Sequence, residues 1–365
     1  MKAVLTKQFN QSSISELPKP KISTDEVLVN VSRVQLSVTE CLLFRGEPIA
    51  HHDTIKNRIA NGDYSLFGHE FTGEVVAVGE DVSTVSVGTR VYVPGKPPCR
   101  SCEYCRSGYS HFCTNKQSLG FDRPGALAEY ISLPAEAVQE LPQRITDAAG
   151  AAMQPLASSV LCTLDADISP GDIVAVVGTG VVGFQCAQLA ANFGAQEVLC
   201  IDVRKKPLEI ARDEGLTTID AKTTDVSEAV AQITNSIGAD VVFEAAGGTQ
   251  TNATEGNDPL ALAYQIVRTG GTIVQVGHIV GDVSMTPRKF RSKSIKWVNP
   301  RKGVVSVGPN ATTGTIATQM VADGDVTIDR YITHELDGLH SFEKAVDITL
   351  NKSEYGALGP AQLIL

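Results

Sequence analysis

Four cysteines, Cys99, Cys102, Cys105 and Cys113, stand at C-x2-C-x2-C-x7-C spacing. Thiolates packed this closely can close a tetrahedron around one zinc ion. An all-sulfur shell has no open position, so it holds structure and does no chemistry. The alternatives are a redox dithiol, for which a single C-x2-C pair suffices, and four reduced thiols in a loop. Two overlapping pairs and a fourth cysteine favour the metal. His111, two residues before Cys113, is read as a surface or packing residue because the sulfurs already fill the shell. Upstream, Gly68-His69-Glu70 sets an imidazole beside a carboxylate. Downstream, Gly178-Thr179-Gly180-Val181-Val182-Gly183 fits G-x-G-x-x-G.

That glycine run follows an apolar strand, opens a helix, and has Asp202 at the end of the next strand, the context a dinucleotide turn requires. Gly178 permits the tight turn, Gly180 lets the backbone approach a pyrophosphate, and Gly183 lets the helix pack on the sheet. The pyrophosphate then sits on the helix amino end, over the turn that Thr179, Val181 and Val182 complete. Asp202 is placed to accept hydrogen bonds from the adenosine ribose. Its charge disfavours a 2′-phosphate, so NAD is expected over NADP. Arg204, followed by Lys205 and Lys206, pulls the other way. The alternative is a glycine turn that binds nothing.

The elements that must position these residues change character near residue 150. Before it, residues 27–36, 73–79, 89–94 and 126–134 mix β-branched residues with alternation, punctuated by Gly and Pro, as short strands do. From Gly171 onward, strands at 172–178, 197–203, 239–247 and 271–277 alternate with helical stretches such as 181–194, which stops at Gly194. Central strands that read as continuous apolar runs, separated by helices, mean a doubly wound parallel sheet. Beyond Lys293 the rhythm loosens, and 326–336 reads as a strand before a helix at 340–350.

The totals agree with a soluble two-domain protein: 365 residues, 42% apolar and 20% charged. The net charge of −10 and the absence of a Lys/Arg run argue against nucleic acid as a partner. The first residues lack the apolar core of a signal peptide. No apolar run reaches the length of a bilayer span, so no membrane partner is expected. Eight cysteines without an export signal point to a reducing cytoplasm. Cys41, Cys162, Cys186 and Cys200, outside the cluster, read as small buried hydrophobes.

Taken together, these residues resemble the zinc-dependent medium-chain alcohol dehydrogenases over nearly the whole chain, with a leaning to the polyol and sugar branch. Gly68-His69-Glu70-x2-Gly73-x5-Gly79-x2-Val82 fits that family's zinc signature, the four cysteines its structural-zinc lobe, and Gly178–Gly183 with Asp202 its cofactor domain. The resemblance implies an α/β fold. A GroES-like β-rich catalytic domain would span 1–154, with the zinc lobe at about 95–115. A doubly wound Rossmann domain would span 155–300, and 301–365 would return to the first domain. It further implies an active site between the two domains and a homodimer or homotetramer. The implied reaction is hydride transfer between a carbinol carbon of a small alcohol, polyol or sugar and nicotinamide, with zinc as Lewis acid.

The chain departs from that pattern where the chemistry lies. Ser37 stands where the family has its first catalytic cysteine, and Leu42 where many members have a relay histidine. Thr39 keeps the relay hydroxyl, and Glu40 replaces an aspartate. Gln154, in Gln154-Pro155-Leu156-Ala157, takes the place of a polyol-type glutamate. A serine hydroxyl is a poor zinc ligand and a glutamine brings no charge. Three outcomes stay open. The favoured one binds catalytic zinc through His69, Glu70 and Gln154 with water, Ser37 standing beside it. In the second, Cys41 swings in, one helical turn after Ser37. In the third, the site holds no metal. His51 or His52 is a substitute relay or a pair of loop histidines. His278 is a cofactor contact or a packing residue, and Trp297 packs or meets a subunit. The competing functions are a metal-independent reductase of an activated double bond and a cofactor-binding protein without catalysis.

Overall fold

The computed structural model describes residues 1–300, 304–308 and 311–365. The chain forms two compact units. The first comprises Met1–Ser158, Lys302–Gly324 and Ile328–Leu365, and the second comprises Ser159–Arg301 and Asp325–Thr327. The boundary expected at 300/301 abuts Arg301, which lies outside the described residues. Among the described residues no helix is long and apolar enough to cross a membrane.

The first unit is built on a seven-stranded sheet. Its spine is β1 (Glu26–Gln35), whose Val27, Val29 and Val31 bury one face while Asn30 on the other faces out. β1 pairs antiparallel with β2 (Glu70–Val78) and with Gln362–Ile364, so Gln35 lies opposite both Glu70 and Gln362. Phe67, Phe71, Leu127 and Leu133 are among the side chains that fill its core. Helices also fall in the half that reads as strands and turns, two of them beside the site. α1 (Val38–Arg45) starts with a capping box in which Ser37 accepts from the Glu40 amide and Glu40 reaches back to the Ser37 amide. It ends at Gly46 in the left-handed region, with φ 88°. α2 (His52–Ala60) follows His51, whose own φ is 69°.

One element differs from expectation. The segment 326–336 is not a strand: it runs through a 3-10 turn at Asp329–Tyr331, and only Glu335–Asp337 pairs. Val326, Ile328 and Tyr331 are buried, so the apolar spacing reports burial in an irregular segment rather than a pleat. The helix expected at 340–350 is present at Phe342–Leu350.

The second unit holds a six-stranded, all-parallel sheet. Its order is Thr217–Asp220, Glu197–Asp202, Ile173–Val177, Ala239–Glu244, Val267–Gln275, Lys296–Val298. Numbered along the chain this is 3-2-1-4-5-6, the doubly wound order whose switch point lies between the first and fourth strands. Val174, Ala175 and Val176 of the first strand are fully buried, as a central parallel strand demands. Trp297, on the edge strand, stacks on Phe290 at 5.4 Å, a packing contact.

Candidate active site, zinc cluster and cofactor turn

The sulfurs of Cys99, Cys102, Cys105 and Cys113 all lie within 4.8 Å of one another. Main-chain amides point at them: Cys99 N–H donates to the Cys113 sulfur (3.2 Å) and Cys102 N–H to the Cys99 sulfur (3.3 Å). The Ser101 hydroxyl, with the amides of Cys102 and Ser101, brings the Cys99 thiol down to about 6. Burial, then contact with Cys102 and Cys113, pushes Cys105 up to about 12. Four thiolates cannot crowd together unless protons or a cation neutralise them, and a divalent ion replaces those protons. The donor set and its spacing therefore fit a structural zinc.

The His69 site grows from the β1–α1 junction. Glu40, buried in the first turn of α1, accepts from the Gly68 amide (2.7 Å), from His69 Nδ1 (2.8 Å) and from the Ser37 amide (3.3 Å). With Nδ1–H committed to Glu40, the ring presents Nε2, which lies 3.7 Å from Glu70 Oε1. The other oxygen of Glu70 accepts from Gln35 Nε2 (2.6 Å), and Gln35 accepts in turn from Gln362 Nε2 (3.1 Å). A ladder of buried amides across three strands thus fixes one carboxylate oxygen and leaves its mate facing His69. Burial alone would lower His69, but Glu40 and then Glu70 raise it to about 8. Burial pushes Glu70 up to about 7, against the pull of His69 and Gln35. Burial also works against the Glu40 carboxylate, yet the His69 charge and the three donated hydrogen bonds hold it below its usual value.

His69 and Gln154 line one cavity of about 100 Å³. Val93, Leu119 and Phe121 give it apolar walls, while Lys96 and Ser118 add polar groups. Gln154 turns Nε2 to Ser158 (3.4 Å), so its carbonyl oxygen is the end suited to a metal. Two ligands on one zinc sit roughly 3.4 Å apart, given Zn–N and Zn–O near 2.0–2.2 Å and tetrahedral angles. His69 Nε2 and Glu70 Oε1 come close to that. Among the described residues, however, the only group of three or more His, Cys, Asp or Glu donors placed for one ion is the cysteine cluster. The third donor at His69 must be neutral, so the site fits a weakly held zinc.

The remaining expected residues divide. Ser37 is buried, with its oxygen accepting from the Glu40 amide (3.1 Å) as a helix cap. Thr39 sits partly exposed in the same turn. Cys41 points into the core beside Thr349, where burial raises its thiol. Of the two loop histidines, His52 stacks on Phe9. His51 stacks on the cavity residue Phe121 and takes a hydrogen bond from Lys96 Nζ (3.5 Å). The Glu40 anchor was signalled by the Ser37-x-x-Glu40 capping spacing. Gln35 and Lys96 carried no local signal.

In the second unit, Gly178 adopts φ 94°, and a Cβ there would meet Ala246 N at 2.6 Å. A Cβ on Gly183 would meet the Gly178 carbonyl at 1.9 Å. Gly180 is different: its φ of −75° suits any residue, and its Cβ would find only Arg204 Nη2 at 3.6 Å. The protein's own packing does not explain Gly180, whereas a pyrophosphate lying on the helix amino end does. The fit to a dinucleotide is therefore good. Asp202 accepts from the Thr179 amide (2.9 Å) and from the Arg204 amide, Nε and Nη2 (2.9, 3.1 and 2.9 Å). Arg204 lies on Asp202 itself, and its positive charge offsets the carboxylate. The His278 carbonyl accepts from the Gly248 amide (2.8 Å).

Residues 23–143 match the alcohol dehydrogenase GroES-like domain, and residues 181–318 match the zinc-binding dehydrogenase domain. An L-threonine 3-dehydrogenase of Legionella pneumophila subsp. pneumophila is 32% identical over 235 residues, 64% of this chain and 67% of that protein. The chain belongs to the zinc-type medium-chain alcohol dehydrogenase family. It shares 28% identity over 353 residues with the Bacillus subtilis L-threonine 3-dehydrogenase, covering 95% of both chains. A putative zinc-binding dehydrogenase from Sinorhizobium meliloti 1021, solved bound to NADP, superposes with a TM-score of 0.81 at 26% identity, over 100% of this chain and 99% of that one. As a zinc-type medium-chain alcohol dehydrogenase, the chain is an NAD(P)-dependent oxidoreductase of alcohols with a GroES-like and a Rossmann-type domain.

Proposed function

We propose that His69, Glu70 and Gln154 hold a catalytic zinc, and that the cavity lined by His69 and Gln154 seats the carbinol of a small alcohol, polyol or sugar. The observation that carries this reading is the oriented His69: Glu40 takes Nδ1–H, and Nε2 stands 3.7 Å from a Glu70 oxygen that Gln35 leaves uncommitted. A carboxylate on the far nitrogen fixes the tautomer and raises ligand basicity. Zinc, when bound, supplies Lewis acidity to the alcohol oxygen, and NAD(P), when bound, takes the hydride.

The chain's own residues do the rest. Val93, Leu119 and Phe121 keep water from the reacting carbon. Thr39 takes the hydroxyl proton outward, with Ser37 beside it in the same turn. Gly178, Thr179, Gly180, Val181, Val182 and Gly183 cradle the pyrophosphate. Asp202 and Arg204 meet the adenosine ribose, with NAD preferred because the carboxylate there is buried and held facing the turn. Eight cysteines, all free as thiols, support a reducing, cytoplasmic setting, and the family resemblance supports a homodimer or homotetramer. The test is zinc content with alcohol-dependent NADH formation. The parent should carry two equivalents per chain, His69→Ala one. One equivalent in both would remove the catalytic-zinc reading, and a silent alcohol panel would favour a non-catalytic cofactor binder.

A further inference from the structure

The cavity beside His69 contains a charge that a site for neutral alcohols does not need. Lys96 lines it, and the rest of its described lining holds no carboxylate. A lysine head normally extends into water on its flexible stem. Here it is tethered: Nζ donates to His51 Nε2 at 3.5 Å. The other His51 nitrogen lies 3.8 Å from Asp122 Oδ1, and the imidazole lies flat on Phe121, with centroids 4.7 Å apart and planes 8° apart. Asp122 also accepts from the Ser118 amide (2.9 Å), tying the same relay to a second polar residue of the wall. The His51 backbone sits at φ 69°, a region that side-chain-bearing residues seldom occupy. Such strain persists where the surroundings enforce it, most often at binding and catalytic sites. Asp122, His51 and Lys96 thus form a positioning relay that ends in an ammonium at the wall of the cavity holding His69 and Gln154.

We propose that Lys96 seats an anionic substituent of the substrate, a carboxylate or a phosphate ester, so that the enzyme acts on short hydroxy acids or hydroxyalkyl phosphates in preference to neutral alcohols. The proposal rests on the reading of this cavity as the carbinol site. The ammonium is a compact point charge suited to either oxyanion, and Ser118 is a further polar residue of the wall. His69, Gln154 and Lys96 all line this one cavity, so the anionic group and the carbinol belong to one small molecule.

Calorimetric titration of the zinc-loaded protein with matched pairs tests this. One pair is 3-hydroxybutyrate against 3-hydroxybutyramide, the other glycerol 1-phosphate against glycerol. One charge-assisted hydrogen bond predicts at least a tenfold tighter anion in one pair. A gap in the first pair identifies a carboxylate, in the second a phosphate, and equal affinities in both overturn the proposal. Lys96→Met should erase the gap and Lys96→Arg should keep it; a gap that survives Lys96→Met also overturns it. NADH formation from the same compounds reports separately on the dehydrogenase reading. Binding gaps without turnover would sink that reading and leave the anion seat, whereas turnover without gaps would do the reverse.

Discussion

Replacing Gly180 by alanine should separate cofactor binding from folding. The added Cβ meets nothing nearer than Arg204 Nη2 at 3.6 Å, an ordinary contact, and φ −75°, ψ −169° is open to alanine. Losing glycine at a helix N-cap costs up to about 1 kcal/mol. Restricting the unfolded chain returns about 0.4–1 kcal/mol. The net change in stability is therefore close to zero. The methyl group nevertheless stands where a pyrophosphate approaches the helix amino end, and at least a tenfold loss of NADH affinity is expected, about 1.4 kcal/mol. Gly183→Ala is the counterpart. Its Cβ falls 1.9 Å from the Gly178 carbonyl, so main chain must move, an overpacking cost of about 2–3 kcal/mol. For a unit of about 150 residues that lowers the thermal midpoint by roughly 5–10 °C. Melting curves and NADH fluorescence titration on both variants decide the matter. If Gly180→Ala melts as low as Gly183→Ala, or binds NADH as tightly as the parent, the assignment of Gly180 to the cofactor is wrong.

Glu40→Ala strips the buried partner from His69 Nδ1, the Gly68 amide and the Ser37 amide. The expected loss is about 3–5 kcal/mol, near 10 °C in the midpoint of the first unit, and a drop below 2 °C would contradict the anchor role. Arg204→Ala unmasks the Asp202 carboxylate. The ratio of kcat/KM with NAD to that with NADP should rise about tenfold, the worth of one charge contact, and an unchanged ratio would leave Arg204 without a part in selectivity. Cys105→Ser should lose one equivalent of zinc and the hydrogen-exchange protection of the lobe, while Ile173–Val177 keeps its protection. Zinc at His69 needs a neutral imidazole and an ionised carboxylate. With His69 at about 8 and Glu70 at about 7, protons compete below those values, so affinity climbs with pH and levels off above pH 8. A flat dependence between pH 6 and 9, measured by chelator competition, would remove these two residues as ligands.

The parallel sheet was legible because its strands are buried on both faces and read as unbroken apolar runs between helices. The four cysteines were legible because all their donors come from one short stretch. The site around His69 was only half legible. Glu40 could be seen as a helix cap three residues from Ser37, but its second role depends on Gly68 and His69, 28 and 29 residues away. α1 itself carried its start signal in that capping pair and its stop in Gly46, and the β-branched surroundings masked both. Lys96 reads as one more polar loop residue between Gly95 and Pro97 until the fold sets His51 and Phe121 against it. The segment 326–336 misled because Val326 and Ile328, buried two residues apart, start a strand pattern that the 3-10 turn at Asp329–Tyr331 then breaks.

The amide ladder behind Glu70 also sets a timetable. Gln35 and Gln362 are separated by 327 residues. At the usual pace of translation the second emerges from the ribosome roughly 15–65 s after the first. Through that interval Gln35 lacks the donor that fixes which end of its amide faces Glu70. Residues Arg33–Gln35 also lack the neighbour that later pairs with them, so the strand shows an open edge. The nascent chain can complete its cysteine lobe early, whereas the amide ladder that holds the Glu70 carboxylate is complete only once Gln362 has been made. The two sites therefore reach their final geometry at different moments in the life of the polypeptide.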